Sequence, residues 1–169
     1  MSGKTIGTNM NNGFAGSYAR QPDMIINTHP NKEASANIPF GHALMTGTGG
    51  VVLPTASVTS ATFAGVAARQ VQSQLNYSSQ NGAGEYKPND PVACFQRGRI
   101  NVECKVGTPA LNGSVYIAIS TANGNVVGDF TATVGTLNTD TILLSNCKWG
   151  GAKDSNNIVE LVILQADNA

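Results

Sequence analysis

The sequence predicts an all-β protein, a compact β-barrel or β-sandwich preceded by an extended N-terminal arm. Three observations carry this. From Ile38 onward, short apolar runs alternate with turn signals. Within "RGRINVECKVG" (97–107), Ile100, Val102, Cys104 and Val106 alternate with Asn101, Glu103 and Lys105, the period of a strand with one dry and one wet face. Residues 1–36, by contrast, hold no sustained period and are rich in Gly, Asn and Ser.

Taken in order, residues 1–36 form the arm and residues 37–169 the β domain. The arm cannot bury enough surface by itself to offset its ordering entropy. Its one compact apolar patch is Met24, Ile25 and Ile26, the kind of anchor that docks on a neighbour. The bland alternative is a loose terminus with a chance apolar cluster. Strands are predicted near Phe40 to Thr46, Val51 to Pro54, Thr62 to Gln72, Val92 to Gln96 and Arg99 to Val106. Further strands are predicted near Ser114 to Ser120, Val126 to Val134, Thr141 to Leu144 and Ile158 to Leu164. Asn112-Gly113 and Asn123-Gly124 mark hairpin turns, because both residue types tolerate positive φ. The Ala-rich run 61–75 has a helical alternative, which Gly65 weakens. Residues 76–91 carry two glycines and two prolines without an apolar period, and read as a long surface loop. Val115 to Ile119 and Ile158 to Leu164 are apolar at nearly every position, as in strands covered on both faces.

Composition narrows the function. The chain has 169 residues, enough for one domain with a real core. Only 12% of them are charged, and ten basic residues balance ten acidic ones. A neutral chain offers no field to nucleic acid or to an anionic membrane. No apolar run approaches a bilayer span, and no apolar signal segment opens the sequence. Cys94, Cys104 and Cys147 show no paired spacing, so they read as reduced thiols of a protein made in cytoplasm, with an intermolecular disulfide as the alternative. The expected cofactor and metal content is none. His29 and His42 have no Cys, Asp or Glu at ligand spacing, and the carboxylates are scattered. "GKT" (3–5) and "GTGG" (47–50) lack the strand and helix a phosphate loop requires. No catalytic residue is therefore nominated. Arg97 and Arg99 flank Gly98 as a local basic cluster, read either as an ion-pairing contact or as strand-edge charge that discourages wrong pairing.

The order of segments supplies a further expectation. "ARQPDMIINT" (19–28), "ANIPFGHALMTGTGGVVLP" (36–54), "FAGVAARQ" (63–70), "YKPNDPVACFQRGRINVEC" (86–104), "GSVYIAIS" (113–120), "VGDFTA" (127–132) and "NIVELVIL" (157–164) follow one another in a series. That series resembles the structural cement, or capsid decoration, proteins of tailed bacteriophages. The resemblance implies a non-enzymatic virion protein on the outer surface of the capsid, made in the bacterial host cytoplasm. Its partners would be the major capsid protein and its own copies, as a homotrimer, with neither nucleic acid nor membrane involved. It would bridge neighbouring capsomers against internal DNA pressure. Candidate capsid or subunit contacts are Met24, Ile25 and Ile26 in the arm, Phe40 at its exit, and Tyr77 and Tyr86 in the long loop. Two other classes compete with this reading. A tail or fibre module binding host glycans rests on Trp149 beside Gly150-Gly151; a nucleotide hydrolase would need a catalytic Asp beside metal ligands.

Overall fold

A computed structural model describes residues 11–70, 84–135 and 140–164. Nine of the described strands form one sheet, in the path β4-β3-β5-β7-β11-β10-β8-β9 with β1 also paired to β7, and the sheet curls into a half-barrel. The strands are β1 (Tyr18–Pro30), β2 (Ile38–Pro39), β3 (Ala43–Gly47), β4 (Gly50–Val52), β5 (Phe63–Ala67) and β6 (Glu85–Tyr86). They continue with β7 (Pro91–Glu103), β8 (Ser114–Ala118), β9 (Phe130–Thr131), β10 (Thr141–Trp149) and β11 (Ile158–Ile163). β2 and β6 pair as a separate ribbon.

β7 is the spine. It joins two stretches that the sequence separates at Arg97-Gly98, because Gly98 adopts φ +111 and carries the strand through instead of ending it. β7 pairs β5 at Phe95 and Cys94 and β11 from Gly98 to Glu103. Alternation along β7 sorts its side chains between two cores. Ala93, Phe95, Ile100 and Val102 enter the main core with Phe63, Ile117, Trp149 and Leu161. Val92 and Cys94 face the other way, into a smaller core with Ile38, Phe40, Leu44 and Tyr86. The β2–β6 ribbon thus covers the outer face of β3, β5 and β7. Each fully buried Val, Leu, Ile or Phe side chain contributes about 1.5–3 kcal/mol, which makes these two clusters the main source of stability.

Other boundaries moved for local reasons. A 3-10 turn at Ser60–Thr62 precedes β5, which settles the first half of the ambiguous Ala-rich run as strand. The 126–134 stretch is strand only at Phe130–Thr131, since Val126 and Asp129 close a turn through a backbone hydrogen bond of 3.0 Å. β10 runs on to Trp149 because a register break between Leu144 and Lys148 realigns it, so Cys147 and Trp149 both stay buried. Asn112 and Asn123 take positive φ, as their turns require.

Residues 18–30 of the arm are extended and lie in the sheet. β1 pairs β7 from Tyr18↔Ile100 to Pro30↔Pro91, with register breaks between Tyr18 and Ile26. No apolar period marks this stretch, because no side chain of β1 is fully buried. Backbone hydrogen bonds hold the strand, and they leave no mark on side-chain pattern.

Candidate attachment surface

β1 is laid over the barrel like a strap. Between Arg20 and Ile25 its register slips by several residues, and the Asp23 carbonyl passes over Gly98 so closely that a Cβ there would collide with it. Polar contacts fasten this crossing. Arg20 Nε donates to Glu160 at 2.8 Å, Arg99 donates to the other oxygen of the same carboxylate, and Arg97 pairs with Asp23 at 3.2 Å. Burial alone would raise the Glu160 carboxyl, but hydrogen bonds and charge from the two arginines outweigh it and hold the group below its usual value. The basic cluster at Arg97 and Arg99 is therefore an ion-pairing device within the chain.

The predicted contact residues separate by environment. Met24 and Ile26 are partly buried against the main core, while Ile25 points outward and is 47% exposed. Tyr18, on the same strap, stacks on Phe95 at 5.9 Å and keeps part of its ring in solvent. Phe40 and Tyr86 need correction as outward contacts: they are 3% and 1% exposed and meet edge-on at 5.1 Å under the β2–β6 ribbon. The Tyr86 hydroxyl donates to the Ala68 carbonyl, and burial pushes its pKa up to about 12. Both rings serve the chain's own core. Tyr77 lies outside the described residues. Exposed apolar side chains that the sequence reading did not single out include Phe14, Leu143 and Leu164; single outward hydrophobes carry no periodic signal by which to find them.

The polar chemistry is structural. His42 Nε2 lies 3.3 Å from Asp129 and Nδ1 lies 3.2 Å from the Val127 carbonyl. Lys105 Nζ reaches the second Asp129 oxygen at 3.3 Å. This cluster pins the β8–β9 connection to the start of β3. Burial lowers the His42 pKa, against the attraction of Asp129. A spacing of 87 residues hides the pair from any local motif. No nucleophile accompanies it in the described contacts, and among the described residues no group of three His, Cys, Asp or Glu side chains could hold a metal ion. Trp149, the aromatic that a glycan platform would need, is 1% exposed. No helix among the described residues is long and apolar enough to cross a membrane.

A family model described as "Structural cement protein (E217 gp24/Pam3 gp6)", a phage cement family, matches residues 3–164. The chain belongs to that family. As a cement protein it is a structural, capsid-associated component of a phage particle. Its fold is similar to that of a chain in a solved structure described as "The capsid of Myoviridae Phage XM1", with a TM-score of 0.71 at 18% identity. That match covers 98% of this chain and 99% of the other. No curated protein matches the cement chain. The two chains thus share one fold over nearly their whole length.

Proposed function

We propose that this cement protein binds the outer surface of the major capsid shell and bridges neighbouring capsomers. In this reading it stabilises the shell against internal DNA pressure and acts as a homo-oligomer, a trimer. The observation that carries the proposal is the family match over nearly the whole chain. The structure supports it with a body whose work is rigidity: two buried clusters, a polar clasp at His42 and an ion-paired strap.

The mechanism is mechanical. Pressure pushes capsomers apart, and a bridging subunit must lose its buried interface before they separate. Apolar burial contributes about 25 cal/mol per Å², and specific interfaces bury on the order of 1,600 Å², although association entropy offsets much of that gross gain. Repetition over a closed shell adds avidity, so modest single contacts suffice. Ile25 and Tyr18, outward on the strap, are the proposed contacts. The test is to add purified protein to capsids that lack it and to measure occupancy and the temperature at which the shells rupture. Saturable binding with a raised rupture temperature is expected; no binding, or binding without that rise, refutes the proposal.

A further inference from the structure

We propose that His42, Asp129 and Lys105 form a proton-operated clasp, in which acid loosens the β8–β9 connection from β3. The clasp belongs to the chain itself and does not depend on how the protein meets a capsid. The His42 ring sits between two oxygens: Nδ1 is 3.2 Å from the Val127 carbonyl, and Nε2 is 3.3 Å from the Asp129 carboxylate. Both neighbours accept hydrogen bonds, whereas a neutral imidazole carries a single N–H. The carboxylate is the stronger acceptor, so the neutral ring keeps its proton on Nε2 and turns the Nδ1 lone pair to the Val127 oxygen. The ring also lies against Gly128, where an added Cβ would meet Nδ1 at 2.9 Å.

A second proton on Nδ1 would complete both hydrogen bonds, but it brings a charge that the site holds badly. The Asp129 carboxylate is already shared. Its Oδ2 accepts the Val126 amide at 2.9 Å and faces the Lys105 ammonium at 3.3 Å. With a neutral ring, one anion and one cation balance. With an imidazolium, two cations compete for one carboxylate where the His42 and Asp129 side chains are only 17% and 4% exposed. Glu103 reaches Lys105 at 3.7 Å, but from an exposed position where water screens its charge. Burial accordingly holds the His42 pKa below its ordinary value; Asp129 opposes that shift, Lys105 adds to it and the Val127 carbonyl opposes it.

A histidine released into water takes its proton at about pH 6.5, above the midpoint of the enclosed ring. As pH falls between those two midpoints, the opened clasp binds a proton that the closed clasp lacks, so closure weakens. The weakening is local. Ala43 donates its amide to the Gly128 carbonyl at 2.8 Å, and Gly128 donates to Ala118 at 2.9 Å; these bonds lie beside the ring and feel its loosening first. The same turn carries Val126, an exposed apolar side chain, so acid frees the surface on which that residue stands.

The test is an NMR titration of the full-length chain from about pH 8 to about pH 5, a range that spans histidine protonation, reading the His42 ring nitrogens and amide exchange. The ring should hold its proton on Nε2 at the alkaline end and take up a second with a midpoint below that of the urea-unfolded chain. A midpoint at or above the unfolded one overturns the clasp. Lys105→Met removes the competing cation, so the folded midpoint should rise; a midpoint unmoved by that variant overturns the competition for Asp129. Exchange at Ala43, Val126 and Gly128, corrected for intrinsic rates, should quicken by up to about tenfold per pH unit between the two midpoints, while β11 amides stay level. His42→Gln should abolish that rise, and His29→Gln, at the other histidine, should keep it. A rise that survives His42→Gln, or that vanishes in His29→Gln, overturns the assignment to His42. If His42→Gln does not fold, the ring titration and Lys105→Met decide.

Discussion

Replacing Gly98 by alanine tests whether the strap crossing organises the fold. Gly98 sits in the middle of β7 at φ +111, a conformation that L side chains rarely adopt. Left-handed backbone costs about 1–2 kcal/mol in a non-glycine residue. The added methyl would also meet the Asp23 carbonyl, a backbone atom that cannot swing away like a side-chain tip; overpacking of this kind costs roughly 1–3 kcal/mol. Together they predict a destabilisation of about 2–5 kcal/mol, a large share of a domain's typical total of 5–15 kcal/mol. Gly151→Ala is the matched control, because a Cβ there meets nothing within 4 Å and its φ is not positive. It should fall within about 0.5 kcal/mol of wild type. Urea unfolding followed by fluorescence of the buried Trp149 gives both values, and hydrogen exchange locates the damage. Amides of β1 should lose protection first in Gly98→Ala. A variant within 0.5 kcal/mol of wild type, or one that loses protection evenly across the sheet, refutes the crossing as described.

Three further outcomes follow from the same geometry. Ile25→Asp alters an outward side chain, so stability should stay within about 0.5 kcal/mol of wild type while capsid occupancy falls; equal occupancy removes Ile25 from the interface. Against the raising effect of burial, hydrogen bonds and charge from Arg20 and Arg99 hold the Glu160 carboxyl below its ordinary value, so its stabilisation is present above the ordinary value and is lost as pH falls through the folded one. β1 amides should therefore lose protection on acidification, and Glu160→Gln should remove much of that dependence, as read by exchange at matched intrinsic rates. Cys94, Cys104 and Cys147 are buried, and burial pushes the Cys94 thiol up to about 12. The folded chain should resist a thiol-reactive disulfide at pH 8 and react promptly in denaturant; fast labelling of the native state contradicts that burial.

What the sequence disclosed, and what it hid, follows from how each element is held. Ile100 to Val106 announces itself because alternate residues enter the main core, and Asn112 and Asn123 because their turns demand a conformation few residues accept. β1 is silent, since its partly buried side chains and broken register leave no period. The second half of β10 is hidden by the register break after Leu144, which upsets the alternation that would expose it. Phe40 and Tyr86 look like surface aromatics in a loop-rich context, and only the pairing of Ile38 with Tyr86 shows that they roof a second core. His42 and Asp129 meet through tertiary folding alone. The order of short motifs carried the family; of the two proposed contacts, Ile25 showed through the compact apolar patch at 24–26, whereas Tyr18, a single outward side chain, had no pattern to read.

Adhesion to the shell is the central claim, and a cryo-EM reconstruction of purified virions tests it most directly. The account predicts density for the half-barrel on the outer face of the shell, astride a junction between capsomers, with Ile25 and Tyr18 against a neighbour. Virions in which the chain is absent, or in which it sits within a single capsomer and spans no junction, would contradict it.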